Sequence, residues 1–452
     1  MIRVRVFGVA LVAIVASTAC SGGGGGGSGA RAAGDASSLE TGVVAPPVPK
    51  DLVRTTSTVA GASTTTIPAL AGSWVSPSGD DSAAGTQGAP WRTLKASTKK
   101  LKAGATLYVM AGTFDEVDSE VAWRIKNLNG SADKPVVIAA APGARPKVVG
   151  GHWSTITIEN SSYLEVRGLE VVGSATVDKL PTSGIEMHDS HHVKIVGNYI
   201  HDGGGGGVGA NTSNHIDVID NYISGMSKWN PFQTSGISLF ESKNIGGAPG
   251  ADGYSMRIIG NVVYGSENIA LPVDGSKTVT DGNCIIVDTG DTHQYTGKTY
   301  IANNVCSNNG GRGLHVFQSG NVVAVNNTLY HNMQTEKLKD KGAELSVVAA
   351  RNVVFRNNLV IPRADREATT TYNVDSISFE TNLYENASGS APGGTDRVVP
   401  DAGVANPSRG DFTLKPGSLA IDAGSVSDAP ATDQSGKARR GKPDIGALEA
   451  AS

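Results

Sequence analysis

VKIVGNYI at Val193–Ile200, IDVIDNYI at Ile216–Ile223, MRIIGNVV at Met256–Val263, TYIANNVC at Thr299–Cys306, VVAVNNTL at Val322–Leu329, VVFRNNLV at Val353–Val360 and ISFETNLY at Ile377–Tyr384 are one phrase repeated with its asparagine in register. The aligned residues Asn198, Asn221, Asn261, Asn304, Asn327, Asn358 and Asn382 are separated by 23, 40, 43, 23, 31 and 24 positions. The basic step is therefore 23 residues, and the longer steps carry inserted loops. Such a period marks units that cannot bury an apolar face alone and must stack on their neighbours. Within most phrases Val, Ile and Leu alternate with period two, which is strand spacing. Short repeated strands without helical segments between most of them predict an all-β, parallel β-solenoid.

A second track alternates with the first: GIEMHDS at Gly184–Ser190, GVGANTS at Gly207–Ser213, GISLFES at Gly236–Ser242, CIIVDTG at Cys284–Gly290, GLHVFQS at Gly313–Ser319 and GAELSVV at Gly342–Val348. Each turn thus contributes at least two strands to two sheets. With Ile185, Met187, Ile237, Leu239, Ile285, Val287, Leu314 and Val316 facing inward, side-chain alternation places Glu186, Gly209, Ser238, Ile286, His315 and Glu344 in one outward column. His188, Asn211, Phe240, Asp288, Phe317 and Ser346 form the next. Function is expected on this array. The repeated asparagines are read as structural, since Asn suits turns and stacked amides bond between layers.

The chain opens with Arg3 and Arg5, the apolar run Val6–Ala16, and Ser17-Thr18-Ala19 leading to Cys20. This is export-signal architecture, too short for a membrane span. Cys20 resembles a bacterial lipoprotein processing site, although Ser17 stands where an aliphatic residue is usual. Residues 1–20 are thus a signal or lipoprotein signal peptide, residues 21–70, rich in Gly, Ser, Thr and Pro, a flexible linker, and 71–449 the solenoid. Location is extracytoplasmic, either secreted or anchored through a lipid on Cys20. Lys plus Arg number 38 against 42 Asp plus Glu with no basic block in the solenoid, which excludes a nucleic-acid role. Three cysteines encode no disulfide framework, and a single Cys284–Cys306 bridge stays open.

Both ends of the repeat region carry further motifs. Trp74–Gly79, Gly85-Thr86 and Pro90–Leu94 lead into a short helix over Leu94–Leu101, and PDIGALE closes the chain at Pro443–Glu449. With the repeat phrases, these make residues 74–449 resemble the secreted right-handed parallel β-helix superfamily, which includes pectate-lyase-like polysaccharide lyases and several glycoside hydrolases. The resemblance implies a single-stranded right-handed parallel β-helix with a short N-terminal cap. It also implies an elongated outer face that holds an extracellular or cell-wall polysaccharide. A monomer is expected.

Candidate site residues follow from the loops and the outward columns. Ser224–Ser235 carries Lys228, Trp229 and Phe232, and Gly265–Lys298 carries the acidic stretch DGNCIIVDTGDTH at Asp281–His293. Asp281, Asn283, Asp288 and Asp291 form a candidate Ca²⁺ cluster, provided the Asp281 turn folds back toward Asp288. Substrate chemistry and solvated turns are equal readings of the same residues. Arg312, in Gly310-Gly311-Arg312-Gly313, can clamp a uronate carboxylate or pair with a loop acid. In β-elimination, His315, His188, Lys228 or Lys298 then removes the C5 proton. The alternative is glycoside hydrolysis by paired carboxylates from Glu186, Asp202, Glu241, Asp281 and Asp288. Trp229, Phe240, Phe317, Asn211 and Glu241 are candidate sugar contacts, and a non-catalytic carbohydrate-binding surface protein is the third reading.

Overall fold

The computed structural model describes residues 47, 70–116, 120–173, 180–338, 342–388 and 392–450. The export segment and most of the linker lie outside the described residues. From Ser73 to Val399 the chain coils as a right-handed parallel β-helix of three sheets, with 11, nine and 11 strands. One rung is typical: Ser183–His188 in the nine-stranded sheet 2, His191–Val196 in sheet 1, then Tyr199–His201 in sheet 3. Each strand pairs in parallel with its counterpart one rung on, as Val193 with Ile216 and Ile200 with Ile223. The repeated phrase is therefore two strands broken by a corner, and the three-sheet coil is one sheet richer than the minimum read from the two tracks.

The corner between sheets 1 and 3 is built by the asparagines. Each Oδ1 accepts both the backbone N–H and the Nδ2–H of the asparagine one rung earlier, from Asn198→Asn221 through Asn358→Asn382, at 2.9–3.0 Å. Left-handed backbone falls on the residue before each, for example Gly197, Asp220, Gly260 and Asn303, so the asparagines are there for their amides and not for turn geometry. The last rung ends on a carboxylate: Asp396 Oδ1 accepts from Asn382 N and Nδ2 at 2.8 and 3.1 Å. A second, shorter ladder runs at the corner between sheets 3 and 2. Asn309 donates to Asn332, whose N and Nδ2 donate to the two oxygens of Glu344 at 2.7 and 2.6 Å. Burial pushes the Glu344 carboxyl up to about 8.

This second ladder corrects the register of one strand. Leu314 pairs with Leu345 and His315 with Ser346, so Glu344 lies beside Gly313 and turns inward, while Ser346 and Val348 continue the two outward columns. The position occupied by Glu344 is otherwise a column of Gly184, Gly207 and Gly236, where an added Cβ would strike Ile200, Ile223 and Val263 of sheet 3 at 2.3–2.5 Å. At the next rung Cys284 replaces the glycine and Cys306 the branched residue, and the two are disulfide-bonded with Cα atoms 5.6 Å apart. The bridge closes one rung into a ring. It fits the oxidising compartment implied by the export segment.

The ends are covered. Strand Ser73–Val75 pairs with Thr106–Val109, and helix Leu94–Lys100, N-capped by Thr93, sits over the first rung, with Trp123 Nε1 donating to Thr98 Oγ1 at 2.7 Å. The C-terminal segment packs Ala402, Phe412, Ile445 and Ala447 onto the outward side chains Tyr222, Val262, Val305 and Leu359 of sheet 3. Arg439 pairs with Glu449 at 3.0 Å within it. Sheet 3 is thereby covered from about Tyr222 onward, and the outer face of sheet 2 is a long surface bordered by loops. Replacing Asn304 with Leu orphans the backbone and Nδ2 donors of Asn261, at about 1–3 kcal/mol per buried group. A drop of several kcal/mol in guanidinium unfolding is expected, against little change for the exposed Lys102→Ala.

Candidate functional site

Successive strands of sheet 2 align Glu186, Gly209, Ser238, Ile286, His315 and Ser346, and beside them His188, Asn211, Phe240, Asp288, Phe317 and Val348. Loops 225–236, 265–284 and 331–338 rise at one edge. They stack by backbone hydrogen bonds, among them Ile269 N–H to Lys228 O, Gly282 N–H to Thr234 O and Met333 N–H to Gly311 O. At the other edge stand 241–255 and 289–298. The middle rungs thus form a trough.

Its densest polar cluster comes from three rungs. Arg312 is 7% exposed, pinned where a Cβ on Gly342 would lie 2.5 Å from its Nε. Its Nη1 donates to Thr280 O at 2.5 Å and its N–H to Asn283 Oδ1 at 2.9 Å. Gly282, at φ +86°, bends the loop back so that Asp281 faces Arg312 electrostatically. Burial raises the Asp281 carboxyl, and Arg312 with Asn283 partly offsets this. Arg312 thus bonds the backbone of the loop that carries Asp281 and acts on that acid electrostatically.

Asp288 is raised well above the usual carboxylate range, first by burial and then by Asp281. It stands half-buried between Phe240 and Phe317 in its column, with Oδ1 shielded from solvent. One strand over and two residues along, at about 8 Å between Cα atoms by strand geometry, His315 is 6% exposed. Its Nδ1 lies 3.2 Å from Ser346 O. A carbonyl only accepts, so Nδ1 carries the proton and Nε2 keeps its lone pair. Burial and then Arg312 depress this imidazole well below its ordinary value, which keeps it neutral. The cluster therefore juxtaposes a neutral base and a carboxyl held toward its acid form.

The remaining candidates are distributed. Glu186 Oε2 accepts from Asn211 Nδ2 at 2.8 Å and lies over Gly209, where a Cβ would come within 2.2 Å of it. With the exposed His188, this group is four rungs from His315, about 19 Å at 4.8 Å per rung. Glu241 lies at the trough edge, 3.7 Å from His293, a partner that its sequence distance concealed. Asp202 pairs with His201 at the sheet 3 corner, away from the cluster. Lys228 is exposed with its ammonium 5.6 Å from the Trp229 ring centroid, so that face of the indole is shared with a cation. Lys298 is exposed at the start of a sheet 1 strand. Asp291 bonds Arg351 at 2.6 Å, and Asn283 uses both ends of its amide, on Ser235, Asp281 and Arg312. Among the described residues no group of three or more His, Cys, Asp or Glu is arranged to hold an ion.

Comparison with known proteins gives the same coil. Residues 73–275 match the Pel9A-like right handed beta helix region, and residues 250–403 the right handed beta helix region. The structure is similar to that of pectate lyase Pel9A, with 19% identity, 84% of this chain and 98% of that one covered, and a TM-score of 0.55. A rhamnogalacturonan lyase (16% identity, 69% and 87% covered, TM-score 0.44) and a GH136 lacto-N-biosidase from Eubacterium ramulus (13%, 72% and 67%, 0.44) also match. No curated protein matches. The fold is a right-handed parallel β-helix related to those of pectate-lyase-like and other polysaccharide-active proteins, and at these identities the likeness is one of fold.

Truncating Arg312 to Ala strands Asp281 in a buried setting. Above the carboxylate range the variant must bury a lone anion or keep it protonated, so its stability falls as pH rises, while protonated Asp281 at low pH needs no partner. Thermal unfolding is expected to show a larger deficit at pH 8 than at pH 5.

Proposed function

We propose that this chain is an extracytoplasmic carbohydrate-active enzyme that cleaves a uronate-containing polysaccharide by β-elimination. The observation that carries this reading is the neutral His315, with Nε2 unprotonated, beside the Asp288 carboxyl. Nε2 takes the C5 proton, the C5–H electrons form the C4–C5 double bond, and the C4–O bond breaks. Asp288 delivers its proton to the departing oxygen. Arg312 supports the site through the Asp281 loop, and its positive charge favours the enolate-like carboxylate that develops. The name of the matching Pel9A-like model and the pectate lyase fold agree with this chemistry. An export-type N-terminus and the Cys284–Cys306 bridge support the location, with lipidation of Cys20 as the anchoring proposal.

The hydrolase reading keeps one specific observation: Asp281 raises the acid form of Asp288, an arrangement that also serves a protonated acid beside a second carboxylate. The product decides. A lyase yields a 4,5-unsaturated uronide with rising ultraviolet absorbance, whereas solvent oxygen in a saturated product selects hydrolysis. Binding without any product selects the non-catalytic reading. His315→Ala is expected to lower kcat about 10²–10⁴-fold, the usual worth of general-base catalysis. Full turnover by the folded variant removes that role. The pH profile of kcat/KM is expected to have its acidic limb below the 6.5 of free imidazole, since His315 must be unprotonated, and its alkaline limb where Asp288 loses its proton.

Calcium at Asp281, Asn283, Asp288 and Asp291 is a separate proposal that takes Asp288 in its ionised form, so it competes with the acid role above and no catalytic step is assigned to it; Asn283 and Asp291 must release Arg312 and Arg351 to join it. The unpartnered Asp288 Oδ1 is the oxygen that suits an ion. Calorimetric titration of metal-free protein is expected to show saturable Ca²⁺ binding that Asp288→Asn weakens. Featureless heats remove the ion from the site.

A further inference from the structure

An exposed aromatic pair lies at the edge of the same face, remote from His315. Trp153 is 46% exposed and Phe232 61%, with ring centroids 6.1 Å apart and planes at 58°. The two come from different rungs. Trp153 immediately precedes strand Ser154–Glu159, and its carbonyl accepts from Ser183 N–H, whereas Phe232 belongs to the loop before Ile237–Phe240, three strands along. Loop 225–236 therefore reaches back over about 14 Å of rung spacing to set its phenyl ring against the indole.

The reach has identifiable supports. Ser227 N–H donates to Gly205 O at 2.6 Å and Trp229 N–H to Gly204 O at 2.8 Å, tying the loop down on the run Gly203–Gly207. Those glycines permit the approach. A Cβ on Gly204 would lie 1.8 Å from Leu180 O and 3.1 Å from Trp229 Cβ, and one on Gly205 would lie 2.3 Å from Pro181 O. Asn230 Oδ1 accepts from Phe232 N–H at 2.9 Å, and Val273 N–H donates to Pro231 O at 3.0 Å, so the tip of the loop is held from both sides. An apolar pair held this firmly in water serves no core, since both rings remain outside the buried clusters.

We propose that Trp153 and Phe232 form an aromatic sugar-binding subsite for a distal part of the polysaccharide chain, continuing the trough past Glu186 and Asn211. The proposal rests on the carbohydrate reading of the trough and adds to it a place where the polymer is gripped away from the reacting bond. Tilted rings offer two apolar faces to the C–H face of a pyranose, on a path along sheet 2 to Glu186, whose strand is the next one after that of Trp153. The Glu186 carboxylate, fixed by Asn211, accepts from sugar hydroxyls along that path. With Glu186 about 19 Å from His315, the subsite serves polymer and not short fragments.

Affinity electrophoresis of the full chain in gels containing polygalacturonate or, separately, xylan tests this, with circular dichroism confirming that each variant is folded. The parent is expected to be retarded by at least one polymer. Trp153→Ala and Phe232→Ala are each expected to weaken retardation about tenfold, the worth of one aromatic contact, and Trp153→Phe to restore most of it. Equal retardation of parent and both Ala variants overturns the subsite, as does a parent retarded by neither polymer. Loss of a dimer in light scattering, with polymer retardation unchanged, assigns the pair to self-association and also overturns it. Aromatic-dependent retardation without unsaturated product defeats the β-elimination reading while leaving the subsite standing.

Discussion

The double acceptance at each asparagine Oδ1 sets the phase of the whole coil. Because one oxygen receives both the backbone N–H and the amide N–H of the residue one rung earlier, a rung can begin only where its predecessor's asparagine begins. A one-residue slip would break two buried hydrogen bonds and also exchange the inward and outward faces of the following strand. The amide column at the corner of sheets 1 and 3 therefore decides which side chains face outward on sheet 2. Insertions as long as those in the 40- and 43-residue steps are tolerated because they leave the chain and rejoin it between two fixed amides.

Such a ladder needs a terminus. The last asparagine presents two donors and has no asparagine beyond it, and a carboxylate answers both. Asp396 does this for the long ladder and Glu344 for the short one. Burial raises both acids, which is the cost of placing an acceptor with that geometry inside the coil. Spacing alone therefore placed Glu344 among the outward acids, where it does not belong. Its sequence neighbours GAELSVV mimic GLHVFQS, and only the Asn332 donors reveal that the strand is displaced by two residues.

The coil itself was legible because its signal is redundant: seven phrases repeat the same alternation, and one misread rung does not disturb the rest. The outward columns as far as Phe317 were legible for the same reason, and the cap helix from the single run that follows Thr93. The third sheet was hidden inside the phrase, since a two-residue corner such as Gly197-Asn198 leaves no gap in a hydrophobic pattern. The site was legible only as composition. Which acid meets Arg312 depends on the turn at Gly282, and whether Asp288 and Asp291 share a ligand depends on Arg351, which lies 60 positions from Asp291 in sequence. Trp153 carried no repeat signal, because its partner Phe232 comes from a loop three strands away.

The disulfide and the polar cluster occupy the same rung for a physical reason. Strand Ile285–Asp288 is preceded by the 265–284 loop and followed by 289–298, so this rung carries insertions on both sides of its sheet 2 strand. Long insertions loosen the entry and exit of a strand more than its centre. The Cys284–Cys306 bond holds the entry to the strand of sheet 3 in the same turn, and Arg312 with Asp281 holds the loop that precedes it. Asp288 then stands half-buried between Phe240 and Phe317, with one carboxylate oxygen shielded, on a strand whose entry is tied down. In that setting a carboxyl favours its proton and a buried imidazole gives one up, so burial on this part of the coil moves the two groups in opposite directions.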